Sequence, residues 1–126
     1  MPTREQMLAR FESHRRAFNA RNRAEWLENF VDEPFIQEPA DSDMRWGREQ
    51  YGKTMDAVQS FGSDATIQPP LAAVCNGNDL ALHLLIRTTT PGYPPELHIV
   101  EIFTFAEDGR IAGVRAFVPP EGLPPT

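Results

Sequence analysis

A single cysteine, Cys75, stands in this 126-residue chain, which excludes an internal disulfide and leaves no partner thiol for a cysteine-rich zinc site. Its neighbours Val74 and Asn76 give it no activating charge, and a small buried apolar residue is the expected role. Basic residues are in deficit: 12 Lys and Arg against 18 Asp and Glu give a formal net charge of -6, a balance that disfavours a phosphate backbone as partner. Nucleic acid is therefore not expected. Long apolar runs are missing as well, and nothing approaches the roughly 20 residues a helix needs to cross a bilayer, so no membrane partner is expected. The opening Met1-Pro2-Thr3-Arg4-Glu5-Gln6 has no apolar signal-peptide core, and a cytoplasmic location is the expectation. No metal is expected, because His83 and His98 lack the spacing of a ligand pair on a helix.

What is present is globular: 40% hydrophobic and 24% charged residues, in a length suited to one domain. Thr3 with Gln6 has the form of a capping box, and Met7, Phe11, His14 and Phe18 follow at helical spacing. Asn22 with Glu25 caps a second helix, whose stripe is Trp26, Leu27, Phe30 and Val31 and whose end is Asp32-Glu33-Pro34. Phe35 to Glu38 reads as a short strand, and Met44-Arg45-Trp46 as a brief extended piece. Gly47 then opens a third helix with Tyr51, Met55 and Val58 on one face, closed by Phe61-Gly62-Ser63-Asp64. From Ala65 the period changes to two, giving strands at roughly 65–75, 79–89, 97–106 and 110–118, with hairpin signals at Asn76-Gly77-Asn78-Asp79 and Glu107-Asp108-Gly109. The pattern predicts an α+β domain over 1–118, with a curved, mixed, mostly antiparallel sheet wrapped around N-terminal helices to form a conical cavity. Residues 119–126 read as a proline-rich tail.

Glu101 is the anomaly. It shares a strand face with Leu97, Ile99, Phe103 and Phe105, where a lone ionised carboxyl is costly unless it takes up a proton, finds a partner or lines a working cavity. Glu38 beside Ile36, and His14 between Phe11 and Phe18, are two more polar groups at apolar positions. A carboxylate can act as general base, and a carboxyl kept neutral can donate to a developing oxyanion. Neutral imidazole adds one N–H. Plainer readings stand beside these. His14 alone is more readily a core histidine, Glu38 a strand-end carboxylate in solvent, and Glu101 half of an ion pair with Arg87 or Arg115. Trp46 and Tyr51 fit core packing, although either could line a pocket mouth. The candidate pocket walls are Phe18, Met55, Phe61, Leu82, Leu84, Ile86, Phe103 and Val118.

With these residues in place the chain resembles the ketosteroid isomerase-like and SnoaL-like proteins of the nuclear transport factor 2-like superfamily, over nearly its whole length. The likeness is carried by Phe18-Asn19-Ala20, Glu38-Pro39, Arg45-Trp46-Gly47, Ala73-Val74-Cys75-Asn76 and Glu101-Ile102-Phe103-Thr104-Phe105. Gly109-Arg110-Ile111 and Val114-Arg115-Ala116 complete it. The resemblance implies that Glu38 stands where the isomerases have the proton-shuttling aspartate, Glu101 where they have the buried aspartic acid of the oxyanion hole, and His14 where they have its tyrosine. It implies a cofactor-independent isomerase acting by enolisation on a hydrophobic carbonyl compound, such as a 3-oxo-Δ5-steroid, and a homodimer joined by the sheet's outer face. One alternative is a SnoaL-like hydrolase, dehydratase or polyketide cyclase using the same pocket. In the epoxide-hydrolysing relatives an arginine precedes the acid by two residues; here that place is Ile99. Another is a non-catalytic module that binds a lipophilic, steroid-like or polyketide-like molecule.

Overall fold

Thr3 starts the first helix by reciprocal capping: its hydroxyl accepts from the Gln6 N–H at 3.1 Å, and the Gln6 side chain accepts from the Thr3 N–H at 2.8 Å. The computed structural model describes residues 1–59 and 64–122. Phe61, Gly62 and Ser63 of the expected helix close at 61–64 lie outside the described residues, as do the tail from 123 onward and the side chain of Val58. Helix α1 (Arg4–Asn19) buries Met7, Phe11, His14, Ala17 and Phe18 along one stripe.

The second helix is shorter than its apolar stripe predicts. α2 (Arg23–Glu28) begins at the Asn22 cap and stops at Asn29. The buried Asn29 side chain donates to the carbonyls of Glu25 and Trp26, at 3.1 and 3.3 Å, and the Asn29 main-chain carbonyl accepts from the Ile111 N–H at 2.8 Å. Those bonds turn the chain out of the helix and into the sheet, so Phe30 and Val31 begin strand β1 (Phe30–Gln37). Pro34 has no N–H to offer, and pairing with β7 (Ile111–Phe117) jumps from Phe30 opposite Ile111 to Phe35 opposite Gly113. β2 (Arg45–Trp46) pairs antiparallel with β1. Gly47, at φ 102°, supplies the left-handed turn into α3 (Arg48–Gln59), which buries Tyr51 and Met55.

The single strand expected over 65–75 is two strands, β3 (Thr66–Ile67) and β4 (Ala72–Asn76), on the same side of β5 (Asp79–Arg87). Pro69 and Pro70 fall between them and cannot donate to the ladder. Two-residue pairing of Asn76 with Asp79 closes the β4–β5 hairpin through Gly77 at φ 62°. β6 (Glu96–Phe105) then pairs antiparallel with both β5 and β7. The sheet runs β2-β1-β7-β6-β5-β3 with β4 also on β5, and among the described residues only the β1–β7 pair is parallel. This is the α+β, mixed and mostly antiparallel arrangement that the sequence predicts.

The helices cover one face of the sheet, over a core of Phe11, Phe30, Leu80, Leu82, Leu84, Phe103 and Ile111. Asn19 fastens α1 to β3: its amide donates to the Ile67 carbonyl at 2.9 Å and accepts from the Ile67 N–H at 2.8 Å. The outer face carries exposed apolar groups, among them Val100 and Phe117, which are direct cross-strand partners, with Trp46 and Val74 toward the two edges. Trp46 is thus 59% exposed rather than part of the core, because β2 is an edge strand and its indole rests on the outward ring of Phe35. Cys75 faces inward but is only half-buried, since β4 lies at the sheet's other margin. No described helix is long and apolar enough to cross a membrane.

Candidate active site

Glu101 lies on the inner face of β6, opposite Leu82 of β5 and Ala116 of β7. Glu38 follows the last residue of β1, before a cis peptide to Pro39. His14 sits in the middle of α1 and is 5% exposed. All three line one cavity of about 50 Å³ between the helices and the sheet. Phe18, Trp26 and Tyr51 form its aromatic wall, and Ile36, Ile67, Ile86, Ile99 and Val114 its aliphatic wall. A space of that size holds one or two ordered waters, well short of the roughly 300 Å³ at which drug-sized ligand pockets begin.

The environment separates the two acids. Burial raises the Glu101 carboxyl to about 8, with the nearby Glu38 charge adding to the effect. Burial also raises Glu38, to about 7, while the Arg45 guanidinium pulls the other way. Both show intermediate surface exposure, but that surface faces the cavity they line and the carboxyls are enclosed by protein. Two like groups this close do not readily ionise together, and the Arg45 guanidinium favours placing the charge on Glu38. Among the described residues neither carboxyl has a hydrogen-bond partner. His14 is held neutral, its imidazole lowered to about 3 by burial, and its ring stacks on Phe11 at 5.5 Å. Burial, with the Glu101 and Glu38 charges adding, raises the Tyr51 phenol. Its hydroxyl donates to the Phe35 carbonyl at 2.6 Å, which ties α3 to β1.

The ion-pair reading of Glu101 finds no support. Arg87 pairs with Glu96 at 3.4 Å, and Arg115 donates to the Gln37 side chain at 2.8 Å on the outer face. Of the expected wall residues, Phe18 and Ile86 line the cavity. Leu82, Leu84, Met55 and Phe103 belong to the solid core instead; at Phe103 α1 packs directly on the sheet, with the Phe11 and His14 rings at 5.3 and 5.4 Å from its own. Val118 lines a different feature, an open groove of about 610 Å³ beside Pro39, Asp41 and Phe117. That groove is much the larger, but it contains neither acid and is not where the chemistry gathers. His83 and His98 meet on its wall, Nε2 to Nδ1 at 2.9 Å, on the face opposite the cavity. Among the described residues no group of three or more His, Cys, Asp or Glu could hold a metal ion.

Sequence reasoning did not select Trp26, Ile36, Ile67, Ile99 and Val114 for the cavity wall. Their strand and helix patterns mark them as apolar and inward-facing, and nothing local tells a packed inward residue from one beside a void.

No protein-family model matches the chain, and no curated protein matches its sequence. Solved structures do match its shape. SalBIII, an epoxide hydrolase/cyclase-like enzyme with a role in pyran ring formation in the polyether salinomycin, superposes with a TM-score of 0.75 at 22% identity, over 95% of each chain. Rv0760c from Mycobacterium tuberculosis superposes with a TM-score of 0.79 at 18% identity, over 96% of each chain. The fold is nuclear transport factor 2-like. This is the architecture of the ketosteroid isomerase-like and SnoaL-like proteins, and in this chain Glu38 and Glu101 line the cavity between the helices and the sheet. A shared fold at such identities carries no reaction with it.

Proposed function

We propose that the protein is a cofactor-independent enzyme that moves a proton within a hydrophobic carbonyl compound, isomerising a double bond by way of an enolate. Glu38, the more readily ionised acid, removes the proton, and it returns the proton to a carbon farther along the conjugated system. Glu101, in its protonated form, donates to the enolate oxygen, and the neutral His14 ring supplies a second N–H. The observation that carries this reading is that two buried carboxyls, one of them under the influence of the Arg45 guanidinium, share one apolar-walled cavity with a buried imidazole. The cavity volume bears on the substrate. Any carbonyl compound must turn wall side chains such as Phe18 and Ile86 aside, and a small β,γ-unsaturated cyclic ketone demands less of this than a 3-oxo-Δ5-steroid. The test is formation of the conjugated enone from both classes of ketone, followed by its absorbance. Glu38→Gln should lower the rate at least a hundredfold; unchanged turnover would remove Glu38 as the base.

A second reading is favoured by the fold shared with SalBIII and by room for a water: a hydrolase or cyclase in which Glu38 activates the water. Against its epoxide-hydrolysing form, Ile99 occupies the cavity wall two residues before Glu101, where a guanidinium would be needed. Incubation with a small epoxide separates the two readings by product. A module that only binds lipophilic molecules would turn over neither. We also propose that the working unit is a homodimer joined through the outer sheet face, supported by the adjacent exposed side chains of Val100 and Phe117.

A further inference from the structure

Trp26 has an indole N–H for which neither the sequence nor the proposed chemistry gives a use. The residue lies in α2, is 3% exposed, and packs among His14, Phe18, Phe30 and Tyr51 at centroid distances of 5.6, 6.2, 5.2 and 5.9 Å. Phenylalanine would fill most of that space. Yet the indole Nε1 is buried without a hydrogen-bond partner among the described residues, and so is Nδ1 of the neighbouring His14. An indole N–H can only donate, and a buried donor left unpaired is a standing cost that an all-carbon ring would avoid. Both residues line the same cavity. A donor buried unpaired in a cavity wall is satisfied by an acceptor that reaches it once the wall side chains turn aside.

We infer that Trp26 is a ligand-binding residue: its Nε1–H donates to an uncharged acceptor oxygen of the molecule that enters the cavity, beside the His14 ring. The inference rests on the reading that this cavity is where the ligand binds, and it narrows the ligand class. A pure hydrocarbon leaves the indole N–H unpaired and is discriminated against, whereas a ketone satisfies it. His14 and Trp26 then form a donor pair contributed by α1 and α2, facing the two acids contributed by the sheet side. Selection for an oxygenated ligand is thereby built into the helical wall.

The test compares cyclopentanone with methylenecyclopentane, which have nearly the same shape and differ in the acceptor oxygen. In the ¹⁵N-labelled protein, the Trp26 indole resonance is identified by its absence in Trp26→Phe, with that of the exposed Trp46 as internal control. Cyclopentanone should shift the Trp26 N–H downfield and methylenecyclopentane should not. Trp26→Phe should weaken cyclopentanone binding roughly tenfold, the worth of one hydrogen bond, and leave methylenecyclopentane within about twofold. If Trp26→Phe does not fold, the indole shift in the parent protein decides the matter. Should cyclopentanone move the cavity methyls of Ile36 and Ile99 while the indole N–H stays put, as it would if that N–H is turned onto the Phe30 ring, the inference is overturned and the proposed function stands. Absence of any cavity methyl shift overturns both. An indole shift together with full turnover by Glu38→Gln upholds the binding role and sinks the base assignment.

Discussion

Glu38 and Glu101 are the same residue type in one cavity, and only their surroundings set them apart: the Arg45 charge acts on Glu38 and not on Glu101. If Glu38 must be ionised and Glu101 protonated, activity should rise through about pH 7 and fall through about pH 8, a narrow bell whose limbs belong to the coupled pair. A rate profile flat from pH 6 to 9, values that bracket this window by about one unit, would contradict the division of roles. The same shifts bear on stability. An acid with a raised folded pKa holds its proton more tightly in the folded chain, so Glu101's contribution is fully present below about 4.5 and lost as pH rises through about 8. Glu101→Gln should therefore melt higher than the parent above about pH 8, by roughly 4–8 °C or more, with the gap closing in mild acid. His14 has the opposite sign. Its lowered pKa means that stability is kept above about 6.5 and lost as pH falls toward about 3. His14→Phe should flatten the acid limb of a melting-temperature profile.

At the scale of elements, two asparagines join pieces that apolar periodicity alone would have joined differently. Asn29 halts α2 and accepts from Ile111, which is why Phe30 is a strand residue under the helices and not the last turn of one. Asn19 gives both backbone groups of Ile67 a partner and so holds β3, with a cavity-wall residue, against α1. Asn19→Leu leaves the Ile67 N–H unpaired, and a loss of about 1–3 kcal/mol in urea unfolding is expected, with faster amide exchange at Ile67. Gly113 answers a different demand. A Cβ there would overlap the Phe35 ring that lies across β7, so Gly113→Ala should lose about 1–3 kcal/mol by overpacking, measurable in the same titration. None of these couplings is visible in a window of sequence, since Asn19 and Ile67, or Phe35 and Gly113, are far apart along the chain and adjacent only after the sheet closes.

For the whole molecule, the sheet is used on both sides. Its inner face carries the core and the cavity, while its outer face leaves Val100 and Phe117 at 40% and 45% exposure. If that face joins two copies, sedimentation should find a dimer, and Val100→Lys with Phe117→Lys should give a folded monomer. A parent chain that sediments as a monomer at high micromolar concentration would remove the dimer from the proposal.

Periodicity and turn chemistry by themselves determined the α+β layout, both helix caps, the hairpins and the placing of Glu101, Glu38 and His14 on inward faces, because those features depend on neighbours a few residues away. Composition determined that no disulfide can form within the chain. Only the tertiary structure decided where α2 stops, that Pro69 and Pro70 divide one expected strand into two, and which inward residues border a void and which fill the core. Leu82 and Phe103 have the same pattern as Ile99 and Val114, yet the first two are packed within the core away from the cavity and the last two line it. The reason is geometric: alternation says which side of a sheet a residue is on, but the curvature of the sheet and the seating of the helix set the distance to the opposite wall. The acidities are decided in the same way, since a glutamate departs from its ordinary value only when elements distant in sequence enclose it.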